Sequence, residues 1–138
     1  LLLFREATKE GKPVGELEPF ERHVNYLTTM ADGHESELLL NAIADLANTP
    51  QQLPELLGAW RSGDLVTLER IMVQEMRDKY PGLYRSLLVQ RNNEWMPVLE
   101  RLLGTPEIEF VLAGAGHLVG PEGLLEQLRA RGCTIEQL

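Results

Sequence analysis

One cysteine, Cys133, is present in 138 residues. No internal disulfide can form, so cysteine pairing gives no reading of redox compartment. Beside a predicted strand, Cys133 is a small apolar filler. Cationic residues are also scarce, 13 Lys and Arg against 21 Asp and Glu for a net charge of −8. With no basic stripe to neutralise phosphates, the chain is not expected to bind nucleic acid or an anionic membrane surface. No apolar run approaches the ~18 residues that span a bilayer, so no transmembrane segment is expected. No charged leader with a cleavage site is read in the residues given, which in a fragment carries no information about a signal peptide. The chain opens on Leu1-Leu2-Leu3-Phe4 without a methionine, which reads as a fragment of a larger protein.

What is present suits one ordinary globular domain, with 43% apolar and 25% charged residues and enough length to bury a core unaided. Leu1 to Lys9 reads as the end of a helix closed by Gly11. Residues 13 to 17 read as a short strand, after which Glu18-Pro19 opens a helix with Phe20, His23, Val24, Leu27 and Met30 on one face. About residues 34 to 103 the pattern is helical throughout and reads as a large insertion between strands. Its first helix has an expected inward face of Leu38, Leu39, Ala42, Ile43 and Leu46 and an expected end at Asn48-Thr49-Pro50. Two further helices follow around Leu53 to Trp60 and Leu65 to Met76. A last one, near Leu83 to Leu103, has Tyr84, Leu87, Leu88, Trp95, Leu99 and Leu102 on its apolar face. Arg91 falls on that stripe. It needs either a buried partner or an edge to snorkel to, with its stem packed on Trp95.

Residues 108 to 113 form a continuous apolar run, expected to be a strand buried on both faces of a parallel sheet. Gly114-Ala115-Gly116-His117 then turns the chain towards a helix predicted over 121 to 131, and residues 133 to 138 read as a final strand. The expected fold class is therefore α/β, with a small, mostly parallel sheet and a C-terminal strand-helix-strand unit. On that reading Glu18 and His117 both emerge beyond strand ends at one sheet edge, the usual place for a ligand in open α/β sheets, and Arg91 faces them from the preceding helix.

A carboxylate, an imidazole and a guanidinium together suit metal-assisted hydrolysis. His117 and Glu18 would hold a divalent metal ion or activate water, and Arg91 would hold a carboxylate or an oxyanion. Gly114 and Gly116 would allow a cofactor close to the backbone. Each residue also has a plainer use. His117 can hold its turn through hydrogen bonds, Glu18 can sit on the helix dipole, His23 can be a core histidine, and Arg91 with Glu18 can be a buried ion pair that only stabilises the fold. His34, beside Asp32 and Gly33, reads as an exposed turn residue.

The run from Val111 to Gly123, VLAGAGHLVGPEG, with Gly132-Cys133-Thr134-Ile135 after it, resembles the C-terminal signature of the TraB/PrgY/GumN family, related to the Tiki proteins. Gln90 to Met96 resembles that family's arginine-asparagine helix motif, and Gly11-Lys12-Pro13-Val14 through Leu17-Glu18 resembles its GKPV segment. The resemblance implies that residues 1–138 are the C-terminal part of a single domain of this type. It further implies an extracytoplasmic metal-dependent hydrolase acting on peptides, with two Gly-x-x-His half-sites, an acidic residue and an arginine. By position, Gly114 to His117 is the second half-site, Glu18 the acidic residue and Arg91 the arginine. No other Gly-x-x-His occurs in the chain, so alone it is expected to be inactive, and its uncovered apolar edges would favour a homodimer. His23 stands where glutamine is expected. The alternative is a non-catalytic module binding a peptide, a signal molecule or a cofactor such as haem.

Overall fold

The computed structural model describes residues 2–29 and 32–137, without the side chains of Leu27 and Ala47. Leu1, Met30 and Leu138, and the side chain of Leu27, named above in elements or on faces, lie outside the described residues. Helix α1 is Leu2–Lys9, α2 is Phe20–Thr29 and α3 is Glu35–Ser62. Helix α4 runs through Leu65–Glu69, a wide π-helical turn Arg70–Gln74, and Glu75–Lys79. Helix α5 is built in the same way from Pro81–Tyr84, a π-helical turn Arg85–Val89, and Gln90–Leu103. Two short helices follow, α6 at Ala115–Leu118 and α7 at Leu124–Ala130.

Local chemistry explains the boundaries. Gly63 closes α3 in the left-handed conformation at φ 67°, where a side chain would be strained. Asp64 then caps α4 by accepting from the Thr67 amide at 3.1 Å and the Thr67 hydroxyl at 2.7 Å. Tyr80 leaves the helical region at φ −132°, and Pro81 starts α5 at its first position, where its missing N–H costs nothing.

Two apolar clusters hold these helices together. Ala59, Leu68, Val73, Tyr84 and Val119 form one; Trp95, Met96, Leu99 and Leu124 form the other. Leu118 packs against both. The segment carrying His117 is therefore wedged between the two halves of the core.

The expected α/β class is not what the chain adopts, since no strand or sheet occurs among the described residues. Segments 13–17, 108–113 and 133–137 lie outside the helices without strand pairing. A strand needs a neighbour about 4.8 Å away to take its backbone hydrogen bonds, and the described chain supplies none. Ile108, Phe110 and Leu112 accordingly stand in the open. Apolar continuity marked these residues for burial but did not say what would cover them. The region read as an insertion between strands is instead the body of the structure.

Helix α3 departs from expectation twice. It does not end at Asn48-Thr49-Pro50 but continues through Pro50 and Pro54 to Ser62. Both prolines sit on exposed stretches, where a carbonyl deprived of its amide donor has access to solvent. Its inward line is Asn41, Ala44, Asn48, Gln52, Leu56 and Ala59, whereas Leu39, Ile43 and Leu46 face outward, Leu46 at 79% exposure.

These placements have measurable consequences. Leu83→Ala, at a fully buried position (0% exposed), should lower unfolding free energy by about 3 kcal/mol. Leu46→Ala should change it by less than about 0.5 kcal/mol. Gly123→Ala should be destabilising as well, because a Cβ there would meet the carbonyl oxygens of Leu118 and Val119 at 2.5 Å, and backbone cannot swing aside. Urea unfolding midpoints check all three; a large loss at Leu46 would overturn the outward assignment of that face.

Candidate functional site

The site is built from three helices and one turn. Glu18 lies in the turn before α2, and His23 one turn into that helix. Arg91, Asn92 and Trp95 come from α5, Arg91 and Trp95 one helical turn apart and so on the same face. His117 lies in α6, right after the turn at Gly114.

Glu18 is the most heavily engaged group. Arg91 grips it side-on, Nη2 donating to Oε1 at 2.7 Å and Nε to Oε2 at 3.2 Å. Trp95 Nε1 donates to Oε2 at 3.1 Å, and His23 Nδ1 donates to Oε1 at 2.7 Å. The carboxylate is 9% exposed and the guanidinium 14%. Burial alone would raise the carboxyl pKa, but the donors from Arg91, His23 and Trp95 outweigh it and hold Glu18 down at about 2. Breaking such a pair by removing one partner costs about 3–5 kcal/mol. Glu18 therefore does not cap α2; its oxygens are spent on side chains.

Arg91 is held in place by more than charge. Its guanidinium carbon lies 4.9 Å from the Trp95 ring centroid and 5.7 Å from that of Tyr26, within cation–π range. The Tyr26 hydroxyl in turn donates to Glu94 at 2.7 Å, and Arg22 donates to the other Glu94 oxygen at 2.6 Å. Of the two readings of Arg91, the buried partner is the one the structure shows; its head does not reach an edge, and it is the guanidinium rather than the stem that lies over Trp95.

His117 is buried at 8% exposure, its ring centroid 4.4 Å from that of Trp95. Its Nε2 faces Arg91 Nη1 at 3.3 Å and its Nδ1 faces Asn92 Oδ1 at 2.7 Å. Burial first, and the Arg91 charge second, lower its pKa to about 4 against an opposing effect of Glu18. The imidazole is neutral at physiological pH. Arg91 has five N–H donors; three are engaged by Glu18 and His117, which leaves two on the terminal nitrogens among the described residues.

The three polar residues expected to meet do meet, though through helices and turns rather than at a sheet edge. His34 lies elsewhere, 3.4 Å from Glu37. Gly114 and Gly116 flank His117, but a Cβ at either would make only ordinary 3.7 Å contacts, so neither shows a cradle that requires glycine. Asn92 and Trp95 were not singled out as site residues. Trp95 looked like plain core, and only its spacing of four from Arg91 hinted at a shared partner.

The donor set fits a divalent metal ion poorly. His117 offers one nitrogen, and that nitrogen faces a cation. Both Glu18 oxygens already accept two bonds each. No group of three His, Cys, Asp or Glu able to hold a metal occurs among the described residues. These residues do not by themselves compose a metal centre.

The pKa shifts set an acid limit on stability. The unfolded His117 binds a proton below about 6.5 and the folded one only below about 4, so stability is complete above the first value and falls as pH drops towards the second. Glu18 adds a loss between 4.5 and about 2, because its stabilising ionised form is protonated there. Unfolding measured against pH should show both windows, and His117→Gln should abolish the upper one. An unchanged upper window in that variant would show that another group titrates there.

Residues 1–137 match the TraB/PrgY/gumN family. Over 127 residues the chain is 29% identical to an uncharacterized protein of Treponema pallidum, a match covering 83% of this chain and 38% of that one. Over 111 residues it is 31% identical to a Rhodopseudomonas palustris protein named as the ATP-dependent protease ATPase subunit HslU, covering 75% of this chain and 25% of that one. The chain thus spans about two-fifths or less of the length of these relatives. No solved structure matches it. An ATPase's phosphate-binding loop, Gly-x-x-x-x-Gly-Lys followed by Ser or Thr, does not occur in these 138 residues, where Gly11-Lys12 is followed by Pro13. With almost its whole length matched, the chain belongs to the TraB/PrgY/gumN family.

Proposed function

We propose that this chain contributes part of the active site of a hydrolase acting on peptides. The observation that carries the reading is a neutral, buried imidazole whose Nε2 stands 3.3 Å from a guanidinium that Glu18 immobilises. In the reaction Arg91 uses its two remaining N–H groups to hold a substrate carboxylate or the oxyanion that develops on an attacked carbonyl. His117 spends its Nε2 lone pair on Arg91 Nη1 and so helps to hold the fork in line. Glu18 acts one step back, fixing Arg91 in a single orientation. Hydrolysis through a divalent metal ion requires donors beyond the described residues, and no step is assigned to one here.

A binding module without catalysis would use the same Arg91 fork, so substitutions must separate the two. In the full-length protein His117→Ala should reduce peptide hydrolysis about 100-fold, because the fork loses a partner that aligns it, while leaving affinity for a carboxylate-bearing peptide within a few-fold. Arg91→Lys should weaken that affinity, because a point charge cannot replace a planar fork. Unchanged hydrolysis in His117→Ala would sink the hydrolase reading, and unchanged peptide affinity in Arg91→Lys would leave the Glu18 pair a purely structural role.

A further inference from the structure

Asn92 lies directly behind His117 and is one of the most deeply buried polar residues of the chain, at 2% exposure. Its amide orientation is fixed by what surrounds it. Nδ2 lies 2.9 Å from the Glu122 carbonyl oxygen and 3.2 Å from the His117 carbonyl oxygen. Carbonyl oxygens only accept, so the amide nitrogen must face them and the amide oxygen must face the ring. An amide oxygen likewise only accepts, so the His117 Nδ1 beside it carries the proton.

The opposite end of the ring gives the same result independently. Nε2 faces a guanidinium nitrogen, which can donate and cannot accept. Nε2 must therefore present its lone pair. A free imidazole side chain prefers the other tautomer, with the proton on Nε2, so the pocket reverses the intrinsic preference.

We infer that Asn92 is the positioning residue of the site, holding His117 in the Nδ1–H tautomer so that the Nε2 lone pair faces Arg91. An asparagine does this without adding a charge, whereas a carboxylate there would place an anion against the ring. The same side chain pins the turn that carries His117, because its two Nδ2 bonds close on backbone either side of Val119. Tautomer, ring direction and turn geometry are thus set by one residue. The part that this ring plays in hydrolysis rests on the function proposed above, but the tautomer itself does not.

The test is a direct observation of ring nitrogens. In full-length protein labelled with [15N]histidine at mildly alkaline pH, proton–nitrogen correlations of His117 should show Nδ1 protonated and Nε2 bare. Asn92→Leu removes the acceptor and both Nδ2 bonds, and the ring should shift towards Nε2–H. Asn92→Asp loses the same Nδ2 bonds but keeps an acceptor at Nδ1, and should retain the Nδ1–H form. A wild-type Nε2–H ring overturns the inference, and so does an unchanged Nδ1–H ring in Asn92→Leu. Should that variant fail to fold, the wild-type spectrum alone decides. Hydrolysis is the separate arm: Asn92→Leu should lose about 10- to 100-fold, as for other supports behind a functional imidazole, and Asn92→Asp should recover part of it. Absence of hydrolysis in the wild type would remove the hydrolase reading and leave the tautomer result standing.

Discussion

The side-on pair between Glu18 and Arg91 is the constraint on which the arrangement of this molecule depends. It joins a turn near the start of the chain to the middle of α5, 73 residues later. Charges this poorly exposed are tolerated only when their hydrogen-bonding capacity is met, and here Trp95 and His23 complete the carboxylate. With Glu18 saturated and Arg91 stacked between two aromatic rings, neither side chain has another low-energy arrangement. His117 is then placed against a fixed cation rather than a mobile one, and that charge adds to the burial that keeps the ring neutral.

Much of this site was legible in residue types and spacing. A guanidinium on an apolar helical stripe cannot be left unpaired, and that argument reached Arg91 without a structure. His117 stood out because glycines precede it at a turn. Asn92 carried no comparable physical mark, only its place in a segment that resembles a family motif, since an asparagine beside an arginine on a helix is ordinarily solvated. Its importance depends on the backbone of Glu122, 30 residues away. Contacts of this kind set burial in three dimensions, which periodicity along one helix does not encode.

The fold was less legible, for a specific physical reason. The run at 108–113 has the composition of a buried strand, yet strand formation is a property of a pair of segments. The described residues offer no second segment, so the run stays extended and open. Helices satisfy their own backbone, and the helical regions were accordingly read correctly in kind. Errors there concerned which side faces inward. In α3 the leucine-rich face is outside, because the polar line through Asn41 and Gln52 leads towards Leu56 and Ala59, the part of the helix that meets the core.

Charge bookkeeping within the cluster bears on the proposed function. Glu18 and Arg91 cancel, and His117 adds nothing at neutral pH. The cluster is close to neutral although the whole chain carries −8. On the proposed function, the two Arg91 N–H groups left without a partner among the described residues would give an incoming anion directional bonds. A cation meets the opposite situation, because the carboxylate that would attract it is already wrapped in four donors. The four bonds that stabilise the fold are also the ones that fix the guanidinium. On the proposed function, structural and functional readings of the Glu18 and Arg91 pair are therefore not competitors, because a fork held still favours negative or developing negative charge.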